Sequence, residues 1–262
     1  GRYGQRSSIA SIRKIVTEEK KPIAWVGMGW LGAIASLLLF SFYIVISAWV
    51  FDFIPQAFMG DFSGFDAAAS GANFDDTTGN KLEIFAYMAG FLALNVIIVA
   101  RGVHGGIEKA AEILMPAFFI MLLGMVAFAV FTGDAAATVE FLLTPDFSKM
   151  GFETFMAAVG QAFFSLSVGS CVMFTYGAYL KRSTNIPQNS VLVASADTFV
   201  ALIAGFAIFP IVFAFGLNPA EGPGLFFVTM PVAFGQLPGV VGGVFFTLAL
   251  FAAFTSSISL LE

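Results

Sequence analysis

Three groups of oxygen-bearing side chains stand inside otherwise apolar runs of this chain. In GQAFFSLSVGSC, Gln161, Ser165, Ser167 and Ser170 cluster around Gly160 and Gly169. Asp197 is alone between VLVASA and TFVALIAGFAIFP, and AAFTSSISLL carries Thr255, Ser256 and Ser257 in succession. Aspartate, hydroxyls and carbonyls released from a helix are hard oxygen ligands, which suit an alkali cation better than zinc or copper. Serines and threonines in such runs also bond to their own backbone or to a neighbouring helix, and that reading stays open for each of them. Asp197 is different, because a carboxylate at mid-membrane depth costs roughly 2.5–3.5 kcal/mol on insertion scales. It needs a partner, and no Lys, Arg or His lies within the apolar runs. The partner is then a bound cation, a proton, or a group outside this stretch of chain.

The elements that hold these residues follow from composition. Of 262 residues 58% are hydrophobic and only 11% charged, with 33 Phe, and the mean hydropathy is +0.90. A soluble protein carries about 25% charged residues, and a globule of this size needs a polar skin that this sequence cannot supply. The chain reads as an all-α polytopic transmembrane bundle. A helix crosses the hydrocarbon core with about 20 residues, and runs bounded by charged residues predict spans at 24–50, 84–100, 113–133, 154–180, 187–215 and 240–262. Pro219, Pro223, Pro231 and Pro238 predict a broken extracellular hairpin at 218–238, and residues 1–262 form one transmembrane domain. Ser167 lies at the middle of 154–180, and Asp197 is ten residues past Pro187, roughly 15 Å into its helix. Glycines around a polar midpoint are the pattern of a discontinuous transporter helix, whose freed backbone groups bind substrate and ion.

Lys/Arg placement sets the orientation. With the N-terminal side cytoplasmic, ten of the twelve basic residues, including Arg6, lie inside and only Lys81 and Lys149 outside. The outer segment 52–83 reads as a solvated acidic loop. Residues 1–21 are polar and basic with no apolar middle, so they are no signal peptide. A first residue that is Gly and a last that follows an apolar run read as an internal piece of a longer membrane protein. The net charge of −5 argues against a nucleic-acid partner. One cysteine, Cys171, excludes an internal disulfide and reads as a small buried hydrophobe. One histidine, His104, reads as a solvated loop residue and makes zinc chemistry improbable. No histidine or lysine base in any span leaves the serines without an activator for hydrolysis, so the chain is not expected to be an enzyme.

GQAFFSLSVG, TPDFSK, RGVHGGIEKA, FTSSIS, the IAGFAIFP after Asp197 and the opening GRYG together resemble the neurotransmitter:sodium symporter family, specifically its bacterial amino-acid transporters. The resemblance implies a LeuT-type fold with inverted repeats, of which this chain covers the third to eighth of twelve spans. It also implies a cytoplasmic N-terminal end in the bacterial inner (plasma) membrane, in keeping with the Lys/Arg count.

By position, the resemblance implies that Tyr43 closes over the substrate and bonds its carboxylate, while Leu39 lines the side-chain pocket. Phe164 would be the aromatic lid, Ser167 and Ser170 would shape the pocket at the helix break, and Leu260 would close it. Ser165 would contact substrate and the first sodium. The Ala252 carbonyl, Thr255 and Ser256 match the second sodium site. Asp197 falls where many members have a sodium-binding asparagine, and Gln161 where the family has its chloride-site glutamine. Ala201 replaces the serine that ligates chloride in chloride-dependent members. The functional expectation is a sodium-coupled symporter for an apolar or aromatic amino acid, with co-transported sodium, no organic cofactor and the bilayer as its environment. A cation channel subunit would want a continuous polar stripe instead, and a non-transporting amino-acid sensor would bind without accumulating.

Overall fold

A computed structural model describes residues 1–4, 7–219 and 224–262, with all their side chains except those of His104 and Lys149. Arg6, Glu221 and the 220–223 part of the expected hairpin lie outside the described residues. Every regular element among those described is helical. In chain order they are α1 (Ser8–Glu18), α2 (Gly27–Met59), α3 (Ala67–Gly79), α4 (Lys81–Val99), α5 (Glu108–Thr132), α6 (Ala135–Leu143), α7 (Phe152–Ser165), α8 (Val172–Tyr179), α9 (Ile186–Ala214), α10 (Met230–Phe234) and α11 (Gly239–Leu261). Five helical stretches are long and apolar enough to cross a membrane: Ile23–Met59, Lys81–Val99, Gly105–Thr132, Ile186–Ala214 and Gly239–Leu261.

Short polar side chains set the starts of the helices. Asp66, Asn80 and Asp134 each accept a hydrogen bond from the backbone N–H three residues on, at 2.7, 3.5 and 2.9 Å, which satisfies an otherwise orphaned donor. Asn185 does the same for the Gln188 N–H at 3.3 Å, ahead of Pro187 in the first turn of α9. At the start of the chain, Tyr3 donates to the Glu18 carboxylate at 2.6 Å, and that bond and charge push the phenol's pKa up.

The expected acidic loop at 52–83 is a correction. α2 runs on past Asp52 to Met59, and α3 occupies much of the remainder. Charge did not end the helix because Asp52 is satisfied within the fold, accepting from Gln56 Nε2 at 2.7 Å and from Thr77 Oγ1 at 2.6 Å. Asn73 then donates to Gln56 Oε1 at 3.0 Å, tying α3 to the end of α2. α5 likewise starts earlier than the charge boundaries suggest, taking Glu108, Lys109 and Glu112 into its first turns. Glu108 sits there at the positive end of the helix dipole.

The backbone packs as two compact units. One comprises Gly1–Phe42, Pro145–Phe199 and Ser259–Glu262; the other comprises Tyr43–Thr144 and Val200–Ile258. The second has a phenylalanine core. Phe53 is fully buried, with ring centroids 5.7 Å from Phe62, 5.4 Å from Phe227 and 5.3 Å from Phe246. Edge-on and tilted ring pairs of this kind add to the dispersion that must hold helices together where lipid is as apolar as the core. A buried polar pair adds direction: Ser257 on α11 donates to Asn95 Oδ1 on α4 at 2.7 Å, while Asn95 Nδ2 returns to the Phe91 carbonyl at 2.9 Å.

Candidate functional site

The run 154–180 is not one helix. α7 stops at Ser165 and α8 starts at Val172, leaving 166–171 without helical structure. The stop has a defined chemistry. The Val168 N–H bonds to the Phe163 carbonyl and the Ser167 N–H to the Phe164 carbonyl, each at 3.1 Å, with Ser167 in the left-handed region at φ 52°. This is the Schellman termination. α2 and α9 end in the same bond pattern, with Gly60 (φ 80°) and Gly216 (φ 63°) at the left-handed position. At the break that position holds a serine, and Cys171 (φ 59°) repeats the conformation on the other side. Such residues carry roughly 1–2 kcal/mol of strain each. The glycines that drew attention in the sequence do not carry the turn: Gly160 is inside α7, and neither it nor Gly169 has a positive φ.

Within the first unit, Ser165 and Asp197 come together. The Ser165 hydroxyl donates to Asp197 Oδ1 at 2.6 Å, across 32 residues of sequence. A hydroxyl has one proton and two lone pairs. With its proton committed to the carboxylate, Ser165 presents lone pairs only, and serine and aspartate become a two-oxygen, net-negative donor set. Ser165 also occupies the last turn of α7, the negative end of that helix's dipole. Hard oxygens, negative charge and a helix C-terminus favour a small cation.

Ser170 and Leu260 line one cavity of about 240 Å³, together with Ser36, Phe40 and Thr175. Ser170 is buried; its hydroxyl donates to the Ser167 carbonyl at 3.3 Å, and its own carbonyl accepts from Ser36 at 2.6 Å. Leu39 is half-buried on α2, while Gln161 and Phe164 are exposed on α7. α8 is fastened to the end of α11 by Tyr176, which bonds to Ser259 at 2.9 Å, and by Tyr179, which donates to the Glu262 carboxylate.

The remaining residues belong to the second unit. Tyr43 is half-buried on α2. Thr255 donates to the Ala252 carbonyl at 3.0 Å and to that of Phe251 at 3.2 Å, so two of the expected sodium oxygens touch each other. Ser256 is exposed beside the fully buried Ser257. Among the described residues no three His, Cys, Asp or Glu side chains gather as a metal centre. The sequence reading missed Ser36, Asn95 and the two tyrosines of α8. The signal for Ser36 was the Gly32–Ser36 pair of small residues one helical turn apart.

The description "Sodium:neurotransmitter symporter family" belongs to the family model that matches residues 73–262. The chain belongs to that family. An uncharacterized sodium-dependent transporter of Bacillus subtilis (strain 168), YhdH, is 39% identical over 264 residues, covering 100% of this chain and 58% of its own length. The sodium-dependent serotonin transporter of Drosophila melanogaster is 25% identical over 62% of this chain and 29% of its own length. Sodium-dependent nutrient amino acid transporter 1 of Drosophila grimshawi is 27% identical over 66% of this chain and 29% of its own. The chain thus spans under two thirds of the length of the curated relatives it matches. As a symporter-family chain it is apolar and multi-span, with only helices among its described elements, and its family is one of transporters.

Proposed function

We propose that the full-length protein is a sodium-coupled symporter that imports an amino acid, with apolar or aromatic side chains favoured, across the plasma membrane by alternating access. The N-terminal end of this chain is cytoplasmic in this reading. The observation that carries it is the Ser165–Asp197 pair beside the break in the fourth run. One sodium binds Asp197, Ser165 and a carbonyl at the end of α7, offsetting a carboxylate that would otherwise be unpaired in the membrane. A second sodium takes the Ala252 carbonyl, Thr255 and Ser256. Tyr43 bonds the substrate carboxylate with its hydroxyl. Leu39, Phe164, Ser167, Ser170 and Leu260 surround the side chain, and Gln161 takes the place of the family's chloride-site glutamine. Sodium and amino acid raise each other's affinity, because each removes charge that the other would face alone.

The test is uptake by the full-length protein in proteoliposomes. Labelled leucine or tryptophan accumulates when sodium is imposed outside, and accumulation collapses with potassium in its place or with a sodium ionophore. Sodium flux without any amino acid would favour a channel. Equilibrium binding with no accumulation would favour a sensor.

A further inference from the structure

The C-terminal edge of the break lies along one stripe of α2. Ser36 donates its hydroxyl to the Ser170 carbonyl at 2.6 Å. One turn earlier Gly32 is buried, and a Cβ there would fall 2.1 Å from Cys171 Sγ and 2.6 Å from Cys171 Cβ. A further turn back, the Met28 carbonyl faces the Cys171 thiol at 3.9 Å. Positions 28, 32 and 36 share one helix face. Ser41 on the same helix bonds back to the Leu37 carbonyl one turn earlier at 2.9 Å. Ser36 instead reaches across to a carbonyl next to the interruption. A carbonyl released from a helix ladder in an apolar setting requires a donor, and Ser36 supplies it.

We propose that Ser36, admitted by Gly32, is a positioning residue. Its hydroxyl clamps the Ser170 carbonyl to α2 and so fixes the segment 166–171, which presents Ser167 to the amino acid and adjoins Ser165 at the end of α7. The contact rests on geometry alone; its consequence for uptake rests on the symporter reading above.

The test uses the full-length protein in proteoliposomes, with any cysteines outside this chain replaced by serine so that Cys171 is the only thiol. Two quantities are measured: the rate of Cys171 alkylation by N-ethylmaleimide, and the half-saturating concentration for sodium-driven uptake of labelled leucine or tryptophan. Ser36→Ala is expected to raise both about fivefold, what one neutral hydrogen bond carries, with the maximal uptake rate held within about twofold. Ser36→Thr keeps the hydroxyl and stays near the parent. Gly32→Ala pushes Cys171 off the helix and speeds alkylation even where Ser36→Ala does not fold. Alkylation unchanged in both Ser36→Ala and Gly32→Ala overturns the clamp, as does a Ser36→Thr variant as fast as Ser36→Ala. Faster alkylation with unmoved half-saturation overturns the positioning role. If the parent accumulates neither amino acid, the symporter reading fails while the alkylation rates still decide the clamp.

Discussion

Ser165 on the last turn of α7 donates to the carboxylate of Asp197 in the first half of α9, at 2.6 Å. The bond fixes the polarity of the pair: it faces a third group with lone pairs and negative charge, and with no proton to give. That single relationship makes Asp197 the residue whose replacement is most informative.

Asp197→Asn keeps size and an acceptor for Ser165 but removes the charge. Sodium-driven uptake should fall at least about tenfold while the protein remains monodisperse in detergent, because the cation then loses the counter-charge of its site. If Asp197 is the fixed anion, parent uptake should be indifferent to exchanging chloride for gluconate, since Ala201 offers no hydroxyl. A chloride requirement in the parent would count against the assignment.

Thr255 already holds the Ala252 carbonyl at 3.0 Å. Replacing Thr255 and Ser256 together by Ala should raise the sodium concentration for half-maximal uptake about tenfold or more, and weaken amino-acid binding by linkage. An unaltered sodium curve would remove the second ion from α11.

Tyr43→Phe retains the ring and loses one hydrogen bond to a charged group, a change of roughly 1.5–3 kcal/mol. Substrate affinity should drop about 10- to 150-fold. Scintillation-proximity binding of labelled leucine and tryptophan measures it, and affinity within about twofold of the parent would reduce Tyr43 to packing.

Ser167 occupies a left-handed position where glycine is the usual residue. Ser167→Gly should therefore stabilise the broken form by about 1 kcal/mol, read as a higher melting temperature in detergent. Ser167→Val, with a branched Cβ at positive φ, should lower it.

Asn95 and Ser257 form the buried hydrogen bond between α4 and α11. A double-mutant cycle with Asn95→Leu and Ser257→Ala should give a coupling of about 0.6 kcal/mol, the mean for hydrogen bonds between membrane helices, and no more than about 1.7 kcal/mol. Additive effects would mean that the bond fixes geometry without contributing to stability.

Composition and charge spacing alone determined that the chain is an apolar helical bundle, because continuous apolar runs of about 20 residues satisfy their backbone in lipid as helices, whereas barrel strands alternate apolar and polar residues. They also marked Asp197 and the two hydroxyl clusters, since polar atoms stand out by energy wherever the surroundings are hydrocarbon. Helix ends were less legible. Asp52 reads as a boundary until Gln56 and Thr77 are seen to satisfy it, and those bonds depend on α3 folding back beside α2. The break was visible as a tendency in its glycines, yet its turn falls on Ser167 and Cys171, which have no intrinsic preference for positive φ. Only the tertiary structure decided that, by supplying the partners that local sequence cannot: Gly32 leaves room for Cys171, and Ser36 reaches the Ser170 carbonyl. A local pattern records the energy of a residue against its neighbours in the chain. A hydrogen bond closed over 134 residues is settled where the broken segment meets α2.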